Sequence, residues 1–313
     1  MVAVTRSQKK TSAEARLIRQ LTHHEEKIIQ KIADLQRVCL RGVIEDVESH
    51  IHRESSLVHS ISLKAFVGKC NGDLRLEKEL IIFNNPVINH PDLQCDVPDP
   101  KEAKENYKLH EKVKTTANYV HESGLEGKNV EAKYVNSVFE LMHTVVKFLN
   151  ENGNKLYGHN LLGDLIFLLS TQKFCGGKIA VKDSIKKEDK ISTSINIPGW
   201  SEITHIDTLP TLSFYANNTL ANYKKWSILN NEASLTQRKD YRMSLEVISR
   251  FVEGNTKKTQ SHICSGDTED LFRFMQLVAK TDGIKSLMSD TNRLGKFMPG
   301  RPVFSDYTLS ETN

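Results

Sequence analysis

No stretch of the 313 residues approaches the ~18 consecutive apolar side chains that a membrane span requires. The basic opening, MVAVTRSQKK, leads into no apolar segment, so no secretory signal is expected. Cysteine is scarce: Cys39, Cys70, Cys95, Cys175 and Cys264 are odd in number, scattered and never paired as C-x-x-C. That excludes a disulfide scaffold and a cysteine-rich zinc site, and it predicts a reducing, intracellular setting. Neither charge sign dominates, with 43 basic residues against 39 acidic ones and a net charge of +4. A polyanionic partner is permitted, not demanded. No internal repeat is visible. The 38% hydrophobic and 26% charged residues fit an ordinary soluble globular chain rather than a disordered one.

What is present is an alternation of strand-like and helix-like runs. Thr11–Arg37 predicts one long helix, opened by Thr11 and Glu14 as a capping box and striped by Leu17, Leu21, Ile28, Ile32 and Leu35. A helix packed on the main domain is the plain expectation; a surface for a homodimer or a partner protein is the sharper one. Three strands follow, Cys39–Val47, Leu57–Val67 and Leu74–Phe83, with Asn71-Gly72 between the last two as a hairpin turn. Tyr134–Asn150 predicts an amphipathic helix with Val138, Leu141, Met142, Val145 and Leu149 inward. A short strand at Lys155–Tyr157 and a very apolar helix at Leu161–Lys173 come next. Residues 178–184 and 190–197 suggest a hairpin, Ile203–Asp207 a further strand, and helices dominate to Lys280. The order predicts an α/β fold with a mixed sheet. Polar, turn-rich composition marks 92–130 and 176–204 as insertions at the domain edge.

A few acidic residues stand apart from the polar surface. Asp46 and Glu48 end the apolar run Gly42-Val43-Ile44 and, two apart on a strand, share a face. Carboxylates forced together repel, and a divalent cation is the usual remedy; a strand that has already ended would leave both solvated instead. Asp164 sits among Leu161, Leu162, Leu165, Ile166, Leu168 and Leu169, where a carboxylate is costly without a partner. A first-turn aspartate favoured by the helix dipole is the alternative. The third group, Ser261 to Asp267 (SHICSGD), precedes the helical run TEDLFRFMQLV.

In this order, the three groups resemble the motifs of the DEDDh family of 3′→5′ exonucleases, which have the ribonuclease H-like fold. VIEDVES is similar to motif I, LYGHNLLGDLIFL to motif II, and HICSGD followed by TEDLF to motif III; HIDTLPTL at 205–212 echoes the segment between the last two. The likeness runs from about Leu40 to Lys280. It departs in the long spacing of 118 positions from Asp46 to Asp164 and in the Ser-His-Ile-His that follows Glu48 where Thr-Gly is common.

The resemblance implies a ribonuclease H-like α/β domain over 38–282, with a central mixed five-stranded sheet flanked by helices; outside it, the sequence itself predicts an N-terminal helical extension over 1–37 and a basic irregular tail over 283–313. The resemblance further implies a phosphodiester hydrolase acting on the 3′ end of DNA or RNA, single-stranded ends foremost, by a two-metal-ion mechanism with Mg²⁺ or Mn²⁺. Asp46 would bridge both ions, Glu48 and Asp267 would complete one site, and Asp164 would hold the other. His262 would be the general base. Ser49, Asn160 and His159 are the candidate substrate contacts. Phe214, Tyr215, Tyr223 and Trp226, near Lys224 and Lys225, are candidates for base stacking, although helical core is the plainer expectation for them. Arg238, Lys239, Arg242, Lys257 and Lys258 are a candidate backbone-binding rim. A catalytically weak or inactive nucleic-acid-binding or scaffolding module of the same fold is the alternative function.

Overall fold

The structure, a computed structural model, describes residues 6–52, 55–89, 111, 113–118, 129–175, 180–181, 195–209, 220–232, 243–260 and 262–287. Helix α1 (Arg6–Gln36) leads into three long strands, β1 (Val38–His52), β2 (Ser55–Lys69) and β3 (Leu74–Asn84), which form an antiparallel meander. A four-residue helix α2 (Asn85–Ile88) follows, then β4 (Val130–Val135), α3 (Val138–Asn152), β5 (Lys155–Gly158) and α4 (Leu161–Cys175). The short pair β6 (Ala180–Val181) and β7 (Ile195–Asn196) is antiparallel and separate from the main sheet. Strand β8 (Thr204–Asp207) and helices α5 (Ala221–Leu229), α6 (Leu245–Glu253) and α7 (Cys264–Asp282) complete the order.

The main sheet has six strands, β4-β3-β2-β1-β5-β8, not five. The added strand is β4, parallel to β3 at the sheet edge. Its sequence, VEAKYV, carries Glu131 and Lys133 exposed or half-exposed, as an edge strand tolerates, so no apolar run announced it. For the same reason the next helix starts later than its apolar pattern suggests. Tyr134 belongs to the strand, and Ser137 is the N-cap, accepting the Glu140 N–H at 3.0 Å while the Glu140 carboxylate accepts the Asn136 N–H at 2.9 Å.

The sheet is covered on both faces. On one, Val43, Val47, Ile61 and Ile82 pack against Val138, Leu141, Met142, Val145 and Leu149 of α3 and Leu161, Leu165 and Leu168 of α4. On the other, Ile44, Phe66 and Tyr157 pack against Leu245 and Ile248 of α6 and Leu271, Phe274 and Met275 of α7. Gly42 makes the second face possible, because a Cβ there would lie 2.7 Å from the Tyr157 ring and 3.0 Å from Phe66. The packed chain runs past residue 282: Ile284 and Leu287 are buried in this second layer, and the Tyr157 hydroxyl donates to the Leu287 carbonyl at 2.7 Å.

Helix α1 departs from its plain expectation. All its side chains from residue 15 to 36 are exposed, so it does not pack on the sheet. Both sheet faces are already occupied, and the helix runs off the end of β1 with only Arg37 between them. Its last carbonyls are satisfied by the β2–β3 turn, where Cys70 N–H donates to Arg37 and Asn71 N–H to Leu35, each at 3.0 Å.

Candidate metal centre

Strand β1 is longer than its parallel neighbour. Pairing with β5 stops at Glu45 opposite Gly158, and β5 in turn pairs with β8 up to Gly158 opposite Asp207. Asp46 and Glu48 therefore lie just beyond the carboxyl ends of the parallel strands. That is where open α/β sheets place their ligands. The chain leaves β5 through Gly158-His159-Asn160 and enters α4, with Asp164 in its first turn and buried. Asn160 takes a left-handed conformation (φ 70°), and its N–H donates to the Asp207 carboxylate at 3.0 Å, which fixes this turn to the end of β8.

The third contribution comes from α7. Asp267, in its first turn, is 1% exposed and faces β1. His262, two residues before the helix, is exposed and left-handed (φ 51°). Glu48, His262 and Asp267 each bring one ligating atom to within 4.8 Å of the others. Three segments far apart in sequence thus converge.

Charge of one sign is concentrated here. Burial raises the Asp46 pKa well above the carboxylate range, and the charges of Asp267, Glu48 and Glu45 raise it further. Asp164 is raised in the same way, by burial and then by Asp46, Glu45, Asp207 and Glu48. No cation figures among the causes for either group. Burial alone pushes Glu45 up to about 8, and its Oε1 has no hydrogen-bond partner among the described residues. Hard oxygen ligands packed this closely are a setting that a divalent cation relieves.

Behind the cluster a buried network holds α7 to the sheet. Lys64 on β2, 3% exposed, reaches Glu269 at 3.0 Å and Glu79 at 3.7 Å. The Ser62 hydroxyl donates to Glu79 at 2.8 Å and lies 3.1 Å from the Thr268 hydroxyl. These contacts flank Asp267 by one and two residues and fix its approach to β1.

The structure brings Asp46, Glu48, Asp164, His262 and Asp267 to one place. It does not bring the three candidate substrate contacts there equally. His159 is committed internally: burial pushes its pKa down to about 4, its Nε2 lies 2.7 Å from the Met243 carbonyl and its Nδ1 3.1 Å from the Thr208 hydroxyl. Ser49 is half-buried and follows Glu48 across a break in the β1–β2 register. Asn160 orders the β5–α4 turn through its backbone. Among the stacking candidates, Tyr223 is fully buried and Trp226 packs on the same cluster, their rings 5.1 and 5.3 Å from Phe251. Both are core, as their helical spacing allows. Lys258 is engaged by Glu253 and Asp270, whereas Lys257 is exposed. Phe214, Tyr215, Arg238, Lys239 and Arg242 lie outside the described residues.

Three residues at the site were not singled out from sequence. Gln260 donates to the Asp267 carboxylate at 2.5 Å; nothing local distinguishes it from any loop glutamine. Asp207 accepts the N–H groups of Asn160 and Leu209 at 3.0 and 2.9 Å. Glu45 was legible in principle, being a third acid in VIEDVE on the apolar face shared by Val43 and Val47.

No protein-family model matches the chain, and no curated protein matches it.

Proposed function

We propose that the protein is a metal-dependent 3′→5′ exonuclease of the DEDDh type, with a ribonuclease H-like domain, acting on DNA or RNA. The observation that carries this reading is the convergence of Asp46, Glu48, Asp164 and Asp267 just beyond the carboxyl ends of β5 and β8, where burial and the neighbouring carboxylates raise the pKa values of Asp46 and Asp164. The donor set fits Mg²⁺ or Mn²⁺, since four carboxylates offer hard oxygens and no cysteine sulfur faces them as a thiolate: burial raises the neighbouring Cys264 thiol, and the charge of Asp46 raises it further. When bound, two such ions supply Lewis-acid polarisation of the phosphodiester and an acidified water.

The chain's own residues do the rest. The four carboxylates would hold the ions. His262 accepts the proton of the attacking water; its exposure and its closeness to Glu48 and Asp267 suit it to that role. The Lys64–Glu79–Glu269 network keeps α7, and with it Asp267, from drifting off the sheet. Gln260 orients one oxygen of Asp267.

The test is digestion of end-labelled single- and double-stranded DNA and RNA in Mg²⁺ and in Mn²⁺, with Asp46→Ala as the control. Mononucleotide release from the 3′ end, lost in Asp46→Ala and in chelator, is the expected result. Metal-independent cleavage, or full activity in Asp46→Ala, overturns the assignment. Oligonucleotide binding with no cleavage by the wild type would favour the scaffolding alternative.

A further inference from the structure

Helix α1 is the one long element whose described side chains are all exposed, and its apolar residues are not scattered. Leu17, Ile18, Leu21, Ile28, Ile29, Ile32 and Leu35 are each 41–65% exposed. Ile18, Leu21, Glu25, Ile28, Ile32 and Leu35 follow the alternating three-four spacing of a heptad seam, with isoleucine at two of the three a positions and leucine or isoleucine at d. We propose that this seam pairs with the α1 of a second copy of the chain, antiparallel.

The choice of occupant follows from the pattern itself. The seam is symmetric about its midpoint between residues 26 and 27. Run antiparallel, Ile18 faces Leu35 of the second copy, Leu21 faces Ile32, and Glu25 faces Ile28, so every layer joins an a position to a d position. A surface that is its own complement under a two-fold axis is what an isologous dimer needs. Glu25 sets the direction. In a parallel pair it would meet Glu25 of the second copy in one layer, two like charges in an apolar seam. In the antiparallel pair it meets an isoleucine and lies about 4.5 Å along the axis from Lys31 of the second copy, three residues at the helical rise. The extent is also adequate. Seven half-exposed aliphatic side chains with the stems of Lys27 and Lys31 offer on the order of 700 Å² per helix, near the ~800 Å² per partner of a standard interface. The chain's own sheet cannot serve as the partner, because α3 and α4 cover one face and α5 to α7 the other. This inference does not depend on the nuclease reading.

Sedimentation equilibrium of the full chain at 1–50 µM (a working range of about that order for a standard interface) tests it. The expected mass is twice 35.5 kDa, reverting to one chain in Ile28→Glu and in Ile32→Glu, with the thermal unfolding of the sheet domain unmoved because both side chains are exposed. Orientation is read by mixing single variants Ile18→Cys and Leu35→Cys under mild oxidation and mapping the linked peptides by mass spectrometry, which separates them from links through native cysteines. An 18-to-35 link supports the antiparallel pair. A single-chain mass across the range, a dimer that survives Ile28→Glu, or an 18-to-18 link from Ile18→Cys alone overturns it.

Discussion

Helices α1 and α4 are both rich in aliphatic residues, yet they meet opposite fates. Helix α4 is apolar on nearly every side and lies against β1 and β2, with Leu161, Leu165 and Leu168 buried and a single carboxylate, Asp164, buried with them. Helix α1 confines its large apolar residues to one stripe and exposes all of those described. The difference shows what hydrophobic patterning encodes. All-round apolarity demands enclosure within the same domain, because no face remains for water. A stripe demands only some partner, and here the chain's own sheet has none to give. Asp164 adds the complementary lesson: a costly group in the enclosed helix marks a site, whereas charges on the exposed helix cost little.

The strongest way to sharpen the contrast is Asp164→Asn. It removes the one costly charge from α4, so the metal-free protein should melt higher. Cleavage should fall by on the order of 10³-fold, the equivalent of several kcal/mol of lost ion-mediated stabilisation. Calorimetry beside a single-turnover assay checks both, and a variant that is less stable yet fully active would break the reading of Asp164 as a site residue. Next in size is Lys64→Met. Glu79 would be left buried without its cation, and denaturant unfolding should show a loss of about 3 kcal/mol. Burial already raises the Glu79 pKa despite Lys64, so part of that loss should be recovered below pH 5.

The pH dependence should be gentler. Asp46, Asp164 and Glu45 all have folded-state pKa values above their unfolded ones, Glu45 at about 8. The folded protein therefore holds protons that the unfolded chain has released, and stability falls as pH rises from the ordinary carboxylate range towards 8. Melting temperatures without metal should decline from pH 5 to pH 8, and Mn²⁺ should restore them more at pH 8 than at pH 5. A metal-free Tm that rises over this range would contradict the burial and mutual repulsion of these carboxylates. Smallest of all, Leu21→Ser in α1 should change the unfolding of the sheet domain by no more than ~0.5 kcal/mol, measured at a concentration low enough to keep the chains apart.

Much of the fold is legible because burial writes a period into the sequence. The meander β1–β3, the inward residues of α3 and the Asn71-Gly72 turn, with Gly72 at φ 87°, all follow from alternation, helical spacing and turn chemistry. Strand β4 is not legible, since an edge strand of mixed polarity has no period to show. Asp46, Glu48 and Asp164 stand out because acids beside or inside apolar runs are expensive, whereas His262 and Asp267 join them only through the ordered resemblance to the exonuclease motifs. Gln260, Asp207 and the Lys64 network are not legible. Their positions depend on where α7, β8 and β2 pass one another, and tertiary proximity leaves no local trace.

The joint between α1 and β1 consists of Arg37 alone, and the β2–β3 turn clasps it through the amides of Cys70 and Asn71. Such a joint has no slack. A flexible linker would let a tethered partner sample a volume, and its effective concentration at the carboxylate cluster would be diluted accordingly. Here, whatever grips α1 is carried by the same strand that presents Asp46 and Glu48. The helix is thus a handle rather than a leash, and anything bound to it keeps a fixed bearing on the site.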